Sequence, residues 1–121
     1  IPAGADVRII PPASFLDMIL LEKNCRLVLT DSGGVQKEAY FFSRPSIILR
    51  PETEWVEIVD LRAAKLADHS APDIAAQAEA MISYPPTEFP PVFGDGHAAE
   101  FICEKMLEFH QSMMRKNAIK K

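Results

Sequence analysis

The chain has 121 residues, 48 % hydrophobic and 25 % charged, with a formal net charge of -4, which suits a single soluble domain over residues 1–121 with a core of its own. The acidic balance argues against a nucleic-acid surface, and no apolar run reaches the length of a membrane span. Cys25, Cys103 and three widely spaced histidines (His69, His97 and His110) make no metal-ligand pattern, so the thiols are expected to be free and buried and no metal is expected.

No signal peptide is visible, and the cytoplasm is the expected location. The chain starts at Ile1-Pro2 without methionine. That start reads as a piece cut from something longer, or as the remnant of tag removal.

Val7-Arg8-Ile9-Ile10 is a β-branched run stopped by Pro11-Pro12 and predicts a first strand. Ser14, with Asp17 three residues on, opens a helix in the manner of a capping box. Phe15, Leu16, Met18, Ile19, Leu20 and Leu21 make that helix apolar nearly all round, which predicts burial. Asn24 ends it. Arg26 to Leu29 reads as a second, buried strand, and Ser32 to Phe42 as a helix with Val35, Ala39 and Phe42 on one face.

Pro45 opens a third buried strand, Ser46 to Leu49, which Arg50-Pro51 closes. Thr53 is placed to cap a short helix to Leu61 carrying Trp55, Ile58 and Val59. Lys65 to Ala67 is a weaker fourth strand. Ser70 caps a further helix with Pro72 in its first turn, turning Ile74, Ala78 and Met81 or Ile82 inward. Residues 84–96 read as a linker, since Tyr84 to Pro91 holds four of the ten prolines. Gly94-Asp95-Gly96 then leads into a long last helix with the stripe Ala98, Ile102, Met106, Phe109 and Met113. Alternating strands and helices with short loops predict an α/β fold with crossovers around a parallel sheet. Four short strands are few for a doubly wound domain, which suggests an incomplete N-terminus.

Thr30 to Ala39, Thr-Asp-Ser-Gly-Gly-Val-Gln-Lys-Glu-Ala, carries the chemistry. A glycine turn between a strand and a helix points backbone N–H groups and the positive helix end at one spot, which suits a phosphate. Such turns lie at the carboxyl ends of parallel strands, where ligands bind. Glu38 sits one turn past Gly34, and its side chain leans back toward the turn's mouth. A carboxylate there suits ribose hydroxyls, so the stretch reads as a nucleotide site. The plainer readings stand beside this one: a tight turn at Gly33-Gly34 and a solvated Glu38. Lys37 reads as exposed, Asp31 as a helix cap, Phe15 as core, and Asp95 and His97 as the start of the last helix.

Asp31-Ser32-Gly33-Gly34-Val35-Gln36-Lys37-Glu38-Ala39, then Arg50-Pro51-Glu52-Thr53-Glu54-Trp55-Val56-Glu57, then Gly94-Asp95-Gly96 resembles the non-hydrolysing UDP-N-acetylglucosamine 2-epimerases. The resemblance runs from about Val7 into the last helix. It implies the Rossmann-like half of a GT-B-type two-domain architecture, with this chain in the later part of the second domain. It also implies an isomerase that needs no cofactor. UDP is eliminated from UDP-GlcNAc to leave a 2-acetamidoglucal, then adds back with the opposite configuration at C2, a step feeding ManNAc-containing surface polysaccharides.

In that frame Ser32, Gly33 and Gly34 hold the diphosphate and Glu38 accepts the ribose hydroxyls. Pro12, Phe15 and Met18 wall the uracil, and Arg50 faces the crevice. No catalytic residue is expected here, because the resemblance implies that the proton-moving carboxylates precede Ile1. The partners implied are UDP or a UDP-sugar and the preceding domain of the same protein. The 121-residue chain by itself is expected to bind nucleotide weakly and to catalyse nothing. The last helix is expected to cross back to the first domain, leaving part of the Ile102–Met113 stripe exposed or paired in a homodimer.

Three rival readings differ in chemistry. An epimerase of a modified UDP sugar, such as a 2,3-diacetamido uronic acid, would share the same UDP residues. A glycosyltransferase of the same architecture would share the glycine turn and carboxylate, but the Thr53-Glu54 block is not the usual sequel. A non-catalytic α/β module of the receiver kind would need clustered acidic residues near its start for Mg²⁺, and these are lacking.

Overall fold

The computed structural model describes Gly4 and residues 6–119. In chain order the elements are α1 (Phe15–Asn24), β1 (Val28–Thr30), α2 (Gly33–Phe41), β2 (Ser46–Ile48), α3 (Val56–Asp60), β3 (Ala64–Leu66), α4 (Ala71–Ser83) and α5 (Ala98–Ile119). The strands form one parallel sheet in the order β1-β2-β3, with Leu29 level with Ile47 and Ile47 level with Lys65. Two compact units divide the chain, the first ending at Phe89 and the second beginning at Pro90.

Burial is concentrated on β2, the central strand, whose three residues are all buried. Ile47 packs with Ala67 and Met81, and Leu27, Leu49, Ile74 and Ala78 close around them. Successive strand residues alternate faces, so Ile48 is presented to the other side of the sheet. α4 turns Ile74, Ala78 and Met81 inward as its spacing predicts, and Ile82 stays partly exposed. Ser70 is its N-cap, without a side-chain cap bond, and a proline stands in the first turn.

The start of α1 also follows its sequence. The Asp17 backbone N–H donates to Ser14 Oγ at 3.3 Å, and the Ser14 hydroxyl donates to Asp17 Oδ2 at 2.7 Å. The first of these bonds satisfies one of the orphan donors that open any helix.

Several expectations are corrected. Residues 7–10 form no strand, and Val7, Ile9 and Ile10 are exposed; among the described residues no neighbouring strand offers them a ladder. The fourth expected strand is therefore the third observed. α1 is not buried: Phe15, Leu16, Leu20 and Leu21 are exposed, and Glu22 is its one buried residue. β1 lies at the sheet edge and leaves Leu29 exposed.

Thr53 does not cap α3. Trp55 holds that position, because the Thr53 hydroxyl is engaged elsewhere. Neither thiol is buried, since Cys25 is half-buried and Cys103 exposed. Within the second unit, Gly94 and Gly96 adopt positive φ of 99° and 89°, a region that favours glycine. Between them Asp95 Oδ1 accepts the His97 N–H at 3.0 Å, just ahead of α5. Ile102, Met106, Phe109 and Met113 of the α5 stripe are exposed.

Candidate functional site

β1 ends at Thr30, and Ser32 is already the N-cap of α2. The Thr30 hydroxyl accepts the Ser32 N–H at 3.0 Å, which folds the chain tightly between strand and helix. The helical ladder starts with Gln36 N–H on the Ser32 carbonyl at 3.1 Å. The N–H groups of Gly33, Gly34 and Val35 precede it and have no acceptor within the helix. They stand at the carboxyl end of β1, where the positive end of the helix dipole adds to them. Ser32 makes no side-chain cap bond, and no acidic residue occupies the first turn. Asp31 is thus not the cap; it is exposed ahead of the N-cap position.

The segment following β2 braces this turn. Trp55 Nε1 donates to the Gly33 carbonyl at 2.8 Å. The Thr53 hydroxyl donates to Gln36 Oε1 at 2.6 Å and accepts the Trp55 N–H at 3.1 Å. Gln36 is fully buried. Lys37 is not simply solvated, because its ammonium lies 4.5 Å from the Trp55 ring centroid, within cation–π range.

A Cβ on Gly33 would fall on Glu54 Oε1, whereas one on Gly34 would meet only Ser32 Oγ at 3.8 Å. Glu54 Oε1 is the end of an exposed, flexible side chain, so a Cβ at position 33 would displace the Glu54 carboxylate and leave the Thr53 and Trp55 bonds in place. Thr53→Val should leave Gln36 Oε1 buried without its donor and destabilise the protein by about 1–3 kcal/mol. Chemical denaturation checks this, and a midpoint equal to that of the unaltered chain would mean the brace carries no stability.

Arg50 lies two residues beyond β2, and its Nη1 pairs with Glu54 Oε2 at 3.1 Å. Both side chains are more than a third exposed. Such a pair is worth only about 0–1 kcal/mol, so a phosphate can compete for the guanidinium.

Glu38 is half-buried one turn past Gly34. Against it stands Glu22 of α1, 3 % exposed, with no N–H or hydroxyl donor on either carboxyl oxygen. Burial, then the negative charge of Glu38, then a hydrogen bond to the Glu38 side chain push the Glu22 pKa up. Met18 lines a crevice of about 250 Å³ together with Glu22, Leu27, Thr30 and Val35. Pro12 lines a separate recess of about 680 Å³ with Ser14, Asp17 and Leu20. Phe15 lines neither and is exposed rather than in the core. The structure thus gathers Ser32, Gly33, Gly34, Glu38 and Arg50 around one helix start, puts Met18 in the neighbouring crevice, and leaves Pro12 and Phe15 outside that crevice.

Sequence reasoning missed Glu22, Gln36 and the Trp55 contact to Gly33. A signal for Glu22 was available, since it falls four residues after Met18 and three before Cys25 on one helix face. Among the described residues no group of three His, Cys, Asp or Glu side chains is placed to hold a metal. None of the described helices is long and apolar enough to cross a membrane.

A family model described as UDP-N-acetylglucosamine 2-epimerase matches residues 2–107. A UDP-2,3-diacetamido-2,3-dideoxy-D-glucuronate 2-epimerase of Pseudomonas aeruginosa is 39 % identical over 99 residues, covering 82 % of this chain and 28 % of that protein. A UDP-N-acetylglucosamine 2-epimerase of Methanocaldococcus jannaschii is 38 % identical over 96 residues, 79 % of this chain and 26 % of that protein. The crystal structure of the Neisseria meningitidis UDP-GlcNAc 2-epimerase bound to UDP-GlcNAc superposes with a TM-score of 0.74 at 29 % identity, over 86 % of this chain and 30 % of that one. This chain spans under a third of the length of each of these relatives.

Proposed function

Because the chain belongs to the UDP-N-acetylglucosamine 2-epimerase family, we propose that it is the UDP-holding portion of a cytoplasmic 2-epimerase that acts on UDP-N-acetylglucosamine. One observation carries this reading: the acceptor-free N–H groups of Gly33, Gly34 and Val35 open toward the carboxyl end of β1, with Glu38 one turn behind them. In the reaction the C2 proton leaves and the C1–O bond to UDP breaks, giving a 2-acetamidoglucal and UDP. UDP then re-forms the bond at C1 while a proton returns to C2 on the opposite face. The leaving group must stay bound and be able to return. Backbone donors and a helix terminus stabilise the anion without forming a bond that would block its return.

Ser32, Gly33 and Gly34 take the diphosphate, and Arg50 joins them by exchanging Glu54 for a phosphate oxygen. Glu38 accepts hydrogen bonds from the ribose hydroxyls, and Met18, in the crevice beside the turn, flanks the base. No residue of this chain is assigned to the proton transfers, which belong to a preceding domain of the whole protein. The 121-residue chain should therefore not epimerise UDP-GlcNAc; turnover by the purified chain would overturn that assignment. The exposed α5 stripe would be covered by that domain or by a second copy in a homodimer, and light scattering of the chain reports the latter.

Likeness to the Pseudomonas aeruginosa epimerase, at 39 % identity, favours a second reading in which the sugar is a 2,3-diacetamido uronic acid. The residues above contact UDP, so they serve both readings equally. Assay of the whole protein with each UDP sugar separates the two. For the nucleotide itself the test is calorimetry of this chain with UDP, UDP-GlcNAc and ADP. UDP and UDP-GlcNAc should bind in preference to ADP, and equal affinity for ADP would contradict a uridine site.

A further inference from the structure

Glu22 has no counterpart in the roles assigned so far. It is the one buried residue of α1, at 3 % exposure, and no donor in the protein reaches either carboxyl oxygen. An ionised carboxylate without a donor is costly to bury, and such a group takes up a proton instead. Glu38 on the facing helix α2 is within hydrogen-bonding reach of that proton, and of the surrounding charges it is Glu38's that acts on Glu22. Two other charge-bearing groups lie close by. Cys25 at the end of α1 has its thiol pushed up by burial and by the Glu22 charge, and Arg44 after α2 acts on Cys25 in the opposite sense.

We infer that Glu22 is a positioning residue: it donates its proton to one oxygen of Glu38 and fixes that carboxylate with its other oxygen facing the glycine turn. The pair then carries one negative charge instead of two beside the phosphate site. The role of Glu38 toward ribose rests on the UDP reading above, whereas the sharing of the proton does not.

The pH dependence has a definite sign. The folded-state pKa of Glu22 is raised above its unfolded value, so the contribution to stability is complete below the unfolded pKa. It is lost as pH rises through the folded pKa. Over the same rise the hydrogen bond to Glu38 disappears and a second charge faces the diphosphate, so UDP affinity falls.

The first measurement needs no ligand. With ¹³C-labelled glutamate side chains, the Glu22 carboxyl should titrate above the other glutamates, and Glu38→Gln should lower its midpoint. A Glu22 midpoint that Glu38→Gln leaves in place would overturn the inference, whether or not UDP binds. Calorimetry then follows UDP affinity across the Glu22 midpoint. Glu22→Gln keeps a donor beside Glu38 and should remove the fall in affinity at higher pH. Glu22→Leu keeps the site apolar and folded but removes the donor, and should weaken UDP about tenfold relative to Glu22→Gln, with no fall in affinity at higher pH. Leu and Gln variants with the same affinity would contradict the positioning role. Absence of UDP binding in the unaltered chain would defeat the UDP reading alone, and the carboxyl titration would still decide the proton sharing.

Discussion

Glu38→Ala should weaken UDP binding roughly 10- to 100-fold with the fold retained. Glu38 starts half-buried, one turn from Gly34, so its carboxylate loses little water when a ribose arrives. Hydrogen bonds to a charged acceptor are worth about 1.5–3 kcal/mol each, and about 1.4 kcal/mol is a factor of ten in affinity. Calorimetry on the variant measures the loss directly, while far-UV circular dichroism confirms the helices. Glu57→Ala on α3, whose side chain is exposed away from the core, is the matched control and should bind UDP as the unaltered chain does. Equal affinity for the Glu38 and Glu57 variants would remove Glu38 from the site. The proposed diphosphate donors are backbone groups, so the Glu38 variant should keep a residual affinity for pyrophosphate.

The second large effect is on stability. Ile47→Ala should destabilise the protein by about 2–5 kcal/mol, the range for deleting a buried aliphatic side chain. Ile47 is fully buried on the central strand and packs with Ala67 and Met81. The core has few substitutes for it. Of the nine buried hydrophobic residues among the described ones, four are alanines. Domains are typically stable by only about 5–15 kcal/mol, so this one change removes a large share. Denaturant unfolding should show a clearly lowered midpoint. A shift no larger than that of an exposed-site variant such as Leu29→Ala would mean that the Ile47 cluster is not the core.

The sequence made the glycine turn legible for a local reason. A strand-to-helix junction is written in consecutive residues, and Thr30 to Ala39 contains all of it. The core strand Ser46 to Ile48 and the helix Ala71 to Ser83 were legible in the same way, through apolar spacing and punctuation by proline and serine. What failed was whatever depends on a distant partner. Val7 to Ile10 has strand composition, yet a strand forms only against a neighbour, and none of the described strands pairs with it. The apolar girdle of α1 promised burial, but Phe15, Leu16, Leu20 and Leu21 remain exposed.

Thr53 illustrates the same limit within the site. Its residue type and place favour a cap, and its hydroxyl is drawn instead to Gln36, seventeen positions earlier in the chain. Glu22 reads as a solvated helix residue until α2 is laid against it. The family motif implied the roles proposed for Ser32 to Gly34 and Glu38, and the structure adds the brace from Thr53 and Trp55 at the turn.

The central claim is that the helix start at Gly33 binds the diphosphate of UDP. It is tested most directly by following the backbone amide resonances of the ¹⁵N-labelled chain during a UDP titration. Weak binding is enough for this measurement. The amides of Gly33, Gly34 and Val35 should shift together, saturably and with a common dissociation constant, while ADP moves them less at equal concentration. Saturable UDP binding that leaves those three amides unmoved, or shifts centred on residues away from the turn, would contradict it.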